Sequence, residues 1–182
     1  MTRDEMQSLI EGLAYDCCTS LFEAYGVALT PVGTPAPMAE SERTLTGVVG
    51  FTGPGILGMC LLSGTDGPLR ASNPAGDGSI RDWIAELTNQ LAGRLKHKLI
   101  TRGAVVYITT PIVLQGARIE PLPRHRLLHQ QFTAAGGVVS MWVEVETTPD
   151  FVLSDEAAEE SGAVEGEALL FETTMPSSPP PG

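Results

Sequence analysis

Aromatic residues are scarce in this chain, at 5% of 182 positions, and basic residues are outnumbered two to one, 11 Lys and Arg against 22 Asp and Glu. The formal charge of −11 excludes sequence-independent binding to nucleic acid or to an anionic membrane surface, because both need clustered cations. Three cysteines, Cys17, Cys18 and Cys60, are too few for a disulfide framework, and the vicinal pair could bridge only with strain. No apolar run approaches the ~18 residues that span a bilayer. The N-terminal MTRDEMQSL puts acidic residues where a secretory signal has a basic and then an apolar stretch. A cytoplasmic, reduced protein without a membrane segment is expected.

The acidity is unevenly spread. Residues 149–182 carry eight acidic residues and no Lys or Arg, so residues 1–148 keep 14 acidic against 11 basic, a net of −3. The chain divides into a near-neutral body, 1–148, and an acidic tail, 149–182, that ends in Pro-Ser-Ser-Pro-Pro-Pro-Gly. Low apolar content predicts a mostly disordered tail, with Ala168-Leu-Leu-Phe171 as its apolar cluster.

Within the body, residues 2–25 read as a helix. Thr2 and Glu5 form a capping-box signal, Met6, Leu9, Ile10, Leu13, Cys17, Leu21 and Tyr25 recur at three- and four-residue steps, and Gly26 is a stop. Cys17 belongs to that stripe as packing rather than as a reactive thiol. Residues 45–52 and 56–63 read as strands joined by Gly53-Pro54-Gly55, where either glycine can supply a positive φ. A long loop, 64–78, leads to a second helix, 79–100, with Ser79 as N-cap and Asp82 in its first turn. Residues 104–110 read as a strand that Pro111 to Leu114 continue or bend away from. Residues 127–133 and 138–147 form a second hairpin around Ala134-Ala-Gly-Gly137. In the last strand Val139, Met141, Val143 and Val145 alternate with Ser140, Glu144 and Glu146, the pattern of a half-buried antiparallel strand. The expected fold is α+β: two long amphipathic helices packed on an antiparallel or mixed sheet built from two hairpins.

The second helix carries the chemistry. On a wheel of 100° per residue, Ile84, Leu87, Leu91, Leu95 and Leu99 form one face, and Asp82, Glu86, Asn89 and Gly93 fall in a line almost opposite. An amphipathic helix always has a polar face, but Asn is a weak helix former and Gly costs about 1 kcal/mol relative to Ala. Gly93, lacking a side chain, lets another backbone come close. A carboxylate can pair with a cation. A carboxamide, with both donor and acceptor, can hold a water while touching a substrate. That pairing suits orienting water for attack on phosphorus, where positioning supplies much of the catalysis.

Asp82-Trp-Ile-Ala-Glu86-Leu-Thr-Asn89, followed by Pro111 at 22 positions after Asn89, resembles the motif of the CheC–CheX–FliY chemotaxis phosphatases: Asp or Ser, three residues, Glu, two residues, Asn, and the distant Pro. Gly93 and the Gly-rich first hairpin fit as well. The resemblance implies a CheX-like domain over 1–148 that dephosphorylates the phosphoaspartate of a CheY-like response regulator. It implies Glu86 as the carboxylate that docks to the regulator's lysine and Asn89 as the amide that orients the attacking water, with Asp82, Gly93 and Pro111 as supporting members. No cofactor of its own is implied, since the regulator brings the Mg²⁺; a homodimer is. One motif copy resembles CheX, because the matching stretch of the first helix, Gln7 to Ala14, has Ala where Asn would be needed. The alternative is a non-catalytic regulator-binding or dimerisation module of the same fold.

Other constellations are weaker. His125 and His129 are four apart but enter a strand, where that spacing does not face two ligands together, and with His97 they make no metal site. Ser63 and Ser140 lack a nucleophile-elbow context, and Gly47, Gly50, Gly53 and Gly55 lie in a hairpin rather than between strand and helix. Arg94, Lys96, His97, Lys98 and Arg102 make the C-terminal half of the second helix basic, which complements the helix dipole or forms a docking patch for an acidic partner.

Overall fold

A computed structural model describes residues 2–35, 43–76, 78–117, 119–124 and 126–154. The elements are α1 (Arg3–Ala24), β1 (Thr30–Pro31), β2 (Arg43–Gly53), β3 (Ile56–Gly64), α2 (Asp66–Ser72), α3 (Ile80–Ile100), β4 (Tyr107–Ile108), β5 (Ile112–Ala117), β6 (Leu127–Ala134) and β7 (Gly137–Thr147). The strands form one antiparallel sheet in the order β1-β6-β7-β3-β2-β4, with β5 also paired to β2. The α+β architecture of two long helices on a sheet of two hairpins is as the sequence predicts.

Both long helices start and stop by local chemistry. The Thr2 hydroxyl accepts from Glu5 N and Thr2 N donates to the Glu5 carboxylate at 2.7 Å, a reciprocal cap that holds the Glu5 carboxyl below its ordinary pKa. The Ser79 hydroxyl accepts from Asp82 N at 3.3 Å. At the C-termini, Val27 N donates to Phe22 O and Ala104 N to Leu99 O, with Gly26 (φ 74°) and Gly103 (φ 89°) in the left-handed region. These are Schellman stops, which L-residues with a Cβ resist.

The two helices pack on one face of the sheet. Ile10, Ala14, Leu21 and Phe22 of α1 and Ile84, Leu87, Leu91, Leu95 and Leu99 of α3 are buried against Cys60, Leu62, Phe132, Met141 and Val143. Each large apolar side chain so buried contributes roughly 1.5–3 kcal/mol. Five on α3 therefore fix its rotation and set which residues face outward. Close approach of α3 to β2 needs Gly47, where a Cβ would overlap the Thr88 hydroxyl.

The hairpins show two kinds of glycine requirement. In the first turn Gly55, with φ 75°, takes the left-handed conformation, whereas Gly53 is needed for space, since a Cβ there would collide with the Val105 carbonyl. In the second, Ala135 (φ 46°) and Gly136 (φ 73°) both lie at positive φ, the two-residue turn whose twist matches the strands.

Four expectations need correction. Residues 64–78 are not wholly loop: Asp66–Ser72 form α2, with Thr65 as N-cap, and the Ser72 hydroxyl accepts from Trp83 Nε1 at 2.9 Å, bracing the start of α3. Seven residues are too few to show a helical period. Of 104–110 only Tyr107–Ile108 pairs, because Ala104 and Val106 are buried where the chain leaves the Gly103 stop. Pro111 then separates β4 from β5, and both lie on the same side of β2.

The third correction concerns the sheet face away from the helices. Ser140 and Glu144 are buried rather than solvated, Ser140 in a polar row across the sheet where Thr46 Oγ1 donates to Ser63 Oγ at 2.9 Å and Gln131 Nε2 to Ser140 Oγ at 3.5 Å. The connection from β5 to β6 runs from one side of the sheet to the other, and Arg124 N donates to Glu144 Oε1 at 2.7 Å. Fourth, the start of the tail belongs to the body: Thr148 N bonds Gly55 O, Leu153 is buried, and Ser154 N donates to Arg102 O at 3.0 Å. The remainder of the tail, 155–182, lies outside the described residues, as does the apolar cluster Ala168 to Phe171.

Candidate functional site

The outward line on α3 is as the wheel places it. Asp82 and Glu86 are exposed, and Asn89 and Gly93 are half-buried. Asp82 sits in the first turn, where the helix dipole favours a negative charge. Glu86 and Asn89, three residues apart, are neighbours on the helix surface, with Cβ atoms about 5–6 Å apart.

Glu86 is held in place. Gln90 Nε2 donates to Glu86 Oε1 at 2.7 Å, and Gln90 Oε1 accepts from the Tyr25 hydroxyl at 2.9 Å. Tyr25 lies at the end of α1 and packs edge-on to Trp83, with ring centroids 4.8 Å apart. The carboxylate is thereby positioned by a chain reaching from one helix to the other. An ionised carboxylate has about four acceptor sites, so the Gln90 bond leaves capacity for an incoming cation. Gln90 and Tyr25 are missing from the motif reading. The signal for Gln90 is its position four residues after Glu86; Tyr25 had no local signal beyond its place at the end of the α1 stripe.

Gly93 is not a packing glycine. Among the described residues, a Cβ there would meet nothing within 4 Å outside its own stretch of helix, so the chain itself does not demand the missing side chain. Gly93 forms part of the wall of a groove of about 840 Å³ between α1 and α3, with Asp16, Gln90, Arg94, Lys98 and Arg102 around it. Pro111 occupies the short link between β4 and β5, two strands that both contact α3. It lacks an N–H and has a fixed φ, which suits the residue before a strand.

The first helix does not supply a second site. Ala14 is fully buried, and Glu11 is engaged by Arg126, whose Nε lies 2.9 Å from Glu11 Oε1 and whose Nη2 lies 3.0 Å from Oε2. Of the histidines, His97 lines the α1–α3 groove, while His129 stacks on Trp142 at 4.6 Å, where burial lowers its pKa. They stand on different elements, and His125 lies outside the described residues. Among the described residues no group of three or more His, Cys, Asp and Glu comes together as a metal site. Cys17, Cys18 and Cys60 are buried free thiols, and burial pushes Cys18 and Cys60 up to about 12. No helix among the described residues is long and apolar enough to cross a membrane.

No family model and no curated protein matches the sequence. Solved structures do. The chemotaxis protein CheX from Vibrio vulnificus superposes with a TM-score of 0.63 at 18% identity over 74% of this chain and 95% of that one. A CheC-like superfamily protein from Shewanella sp. PV-4 gives 0.64 at 19% over 80% and 99%. CheX in the CheX–CheY–BeF3–Mg complex from Borrelia burgdorferi gives 0.55 at 15% over 74% and 96%. The fold is that of CheX and CheC-like proteins, in agreement with the resemblance carried by Asp82, Glu86, Asn89 and Pro111.

Proposed function

We propose that this chain is a phosphatase for the phosphoaspartate of a CheY-like response regulator. The observation that carries the reading is the pairing of Glu86, anchored through Gln90 to Tyr25, with Asn89 on the outward face of α3. The shared fold with a CheX that forms a complex with CheY supports the choice of partner.

In this mechanism Glu86 takes the ammonium of a regulator lysine and fixes the register of docking. Asn89, one turn further along the helix face, reaches the phosphorylated carboxylate. Its carbonyl oxygen accepts a hydrogen bond from a water and its amide donates to a phosphoryl oxygen, so the water is aligned opposite the aspartyl oxygen that leaves. Attack on phosphorus then yields inorganic phosphate and the free aspartate, with no bond to this chain. The Mg²⁺ belongs to the regulator, whose own residues hold it. Asp82 supports the helix start, and Gly93 and Pro111 shape the ground around the two working side chains. The homodimer implied by the resemblance belongs to the same proposal. Its candidate surface is the edge formed by β4 and β5, where Tyr107 and Ile112 are each 63% exposed.

The test follows the lifetime of the phosphorylated regulator with and without the protein. Acceleration that is lost in Asn89→Ala supports hydrolysis. Binding with no change in lifetime supports the non-catalytic module instead.

A further inference from the structure

The α1–α3 groove is basic on an acidic protein. Arg94, Lys98 and Arg102 line it against the single carboxylate of Asp16. Arg94 Nη1 donates to Ser20 Oγ across the groove at 3.2 Å, and Arg102 Nη1 to Lys98 O at 3.2 Å. Arg102 Nε, however, is buried and meets no acceptor among the described residues. A buried N–H on a cation without an acceptor is costly, and dipole complementation alone does not account for it. The groove therefore presents cations that suit an anionic group.

The chain itself brings one to this spot. Ser154 N donates to Arg102 O, so the last described residue is fastened to the residue whose Nε lacks an acceptor. The next residues in sequence are Asp155, Glu156, Ala157, Ala158, Glu159 and Glu160, and residues 155–182 contain seven carboxylates and no Lys or Arg. Arg102 to Arg94 spans about 12 Å at ~1.5 Å per helical residue. Six extended residues reach about 20 Å at ~3.3 Å each. Four carboxylates therefore fall within reach of three cations with no linker to cross.

We propose that the groove between α1 and α3 is the docking site of the chain's own acidic segment, residues 155–160, with its carboxylates on Arg102, Lys98 and Arg94. The docked segment ends beside Gly93 and Gln90, next to Asn89 and Glu86. If the groove face also receives a response regulator, as proposed above, the segment competes with it for the same cations.

Backbone ¹⁵N relaxation on the full chain tests the docking without any substrate. At low salt the order parameters of residues 155–160 should approach the ~0.85 of rigid backbone, and in about 0.5 M NaCl, where charges are screened within a few ångströms, they should fall below ~0.6. Arg94→Glu with Lys98→Glu should release the segment at low salt. Because those substitutions touch the body, a second variant, Asp155→Asn, Glu156→Gln, Glu159→Gln and Glu160→Gln, removes the charges from the other side. It should release the same residues and shift the amides of 94–102. Order parameters of 155–160 already below ~0.6 at low salt, or unchanged order in both variants, overturn the proposal. For the regulatory consequence, the neutralised variant should remove phosphate from the regulator several-fold faster than wild type at low salt and equally fast at 0.5 M. An ordered segment in a protein without phosphatase activity would sustain the docking and count against the proposed function. A mobile segment in an active phosphatase would do the reverse.

Discussion

Gln90 Nε2 holds Glu86 Oε1 at 2.7 Å across one turn of α3, and the same Gln90 side chain is held at its oxygen by Tyr25 at 2.9 Å. The carboxylate proposed to dock a partner is thus part of the contact between the two long helices, not a lone surface charge. Gln90→Leu removes the donor while keeping the helix. The expected outcome is weaker regulator docking, a rise in KM of about three- to tenfold, the ~0.7–1.4 kcal/mol of one ordinary hydrogen bond at an exposed site, with kcat unchanged because Asn89 is untouched. Initial rates of phosphate release across a range of phosphorylated regulator check it. A fall in kcat at constant KM would mean that Gln90 serves the chemistry and not the docking.

Gly93 separates stability from function. Among the described residues, a Cβ at this position meets no atom within 4 Å outside its own stretch of helix, and Ala is about 1 kcal/mol better than Gly in a helix interior. Gly93→Ala should therefore raise the thermal midpoint by roughly 2–4 °C while weakening regulator binding, because the added methyl stands in the groove face. Calorimetry on the protein and titration with the regulator give the two numbers. A destabilised variant would show that the chain itself needs the glycine.

Ala135 is the one non-glycine residue at positive φ among those described. An L-residue with a Cβ is strained there by roughly 1–2 kcal/mol, and Asn or Gly tolerates the conformation. Ala135→Asn gives the Asn-Gly turn that two-residue hairpins prefer and should stabilise the protein by about 1 kcal/mol in urea unfolding, with the site unaffected. An unchanged midpoint at constant m-value would mean that the β6–β7 turn relaxes its strain by other means.

Much of this was legible in the sequence where a period or a spacing was long enough to read. The α3 face is the clearest case: five apolar residues at helical steps fixed which side is buried, and Glu86 and Asn89 then had to point outward. The β7 alternation correctly placed Val139, Met141, Val143 and Val145 toward the helices. It could not show that Ser140 and Glu144 are covered as well, because that burial depends on a connection crossing the other face. The seven residues of α2 gave no period, and the 104–110 run of β-branched residues hid the Schellman stop that keeps Ala104 and Val106 out of the sheet. Leu153 groups with the tail by sequence because the stretch from 149 onward has no Lys or Arg and turns acidic two residues after it, yet its side chain is core. The Tyr25–Gln90 bond joins residues 65 positions apart, a relation no local pattern contains.

The central claim is that Asn89 orients the attacking water, and Asn89→Ala is its most direct test. The variant should bind the regulator with wild-type affinity, since Glu86 and its Gln90 anchor remain, and should lose phosphatase activity by about 10²-fold or more, the scale of removing a group that positions the reacting atoms. Regulator lifetime is measured at saturating protein, with affinity determined separately on the phosphorylated partner. Wild-type turnover in Asn89→Ala, or a loss fully explained by weaker binding, would contradict the account.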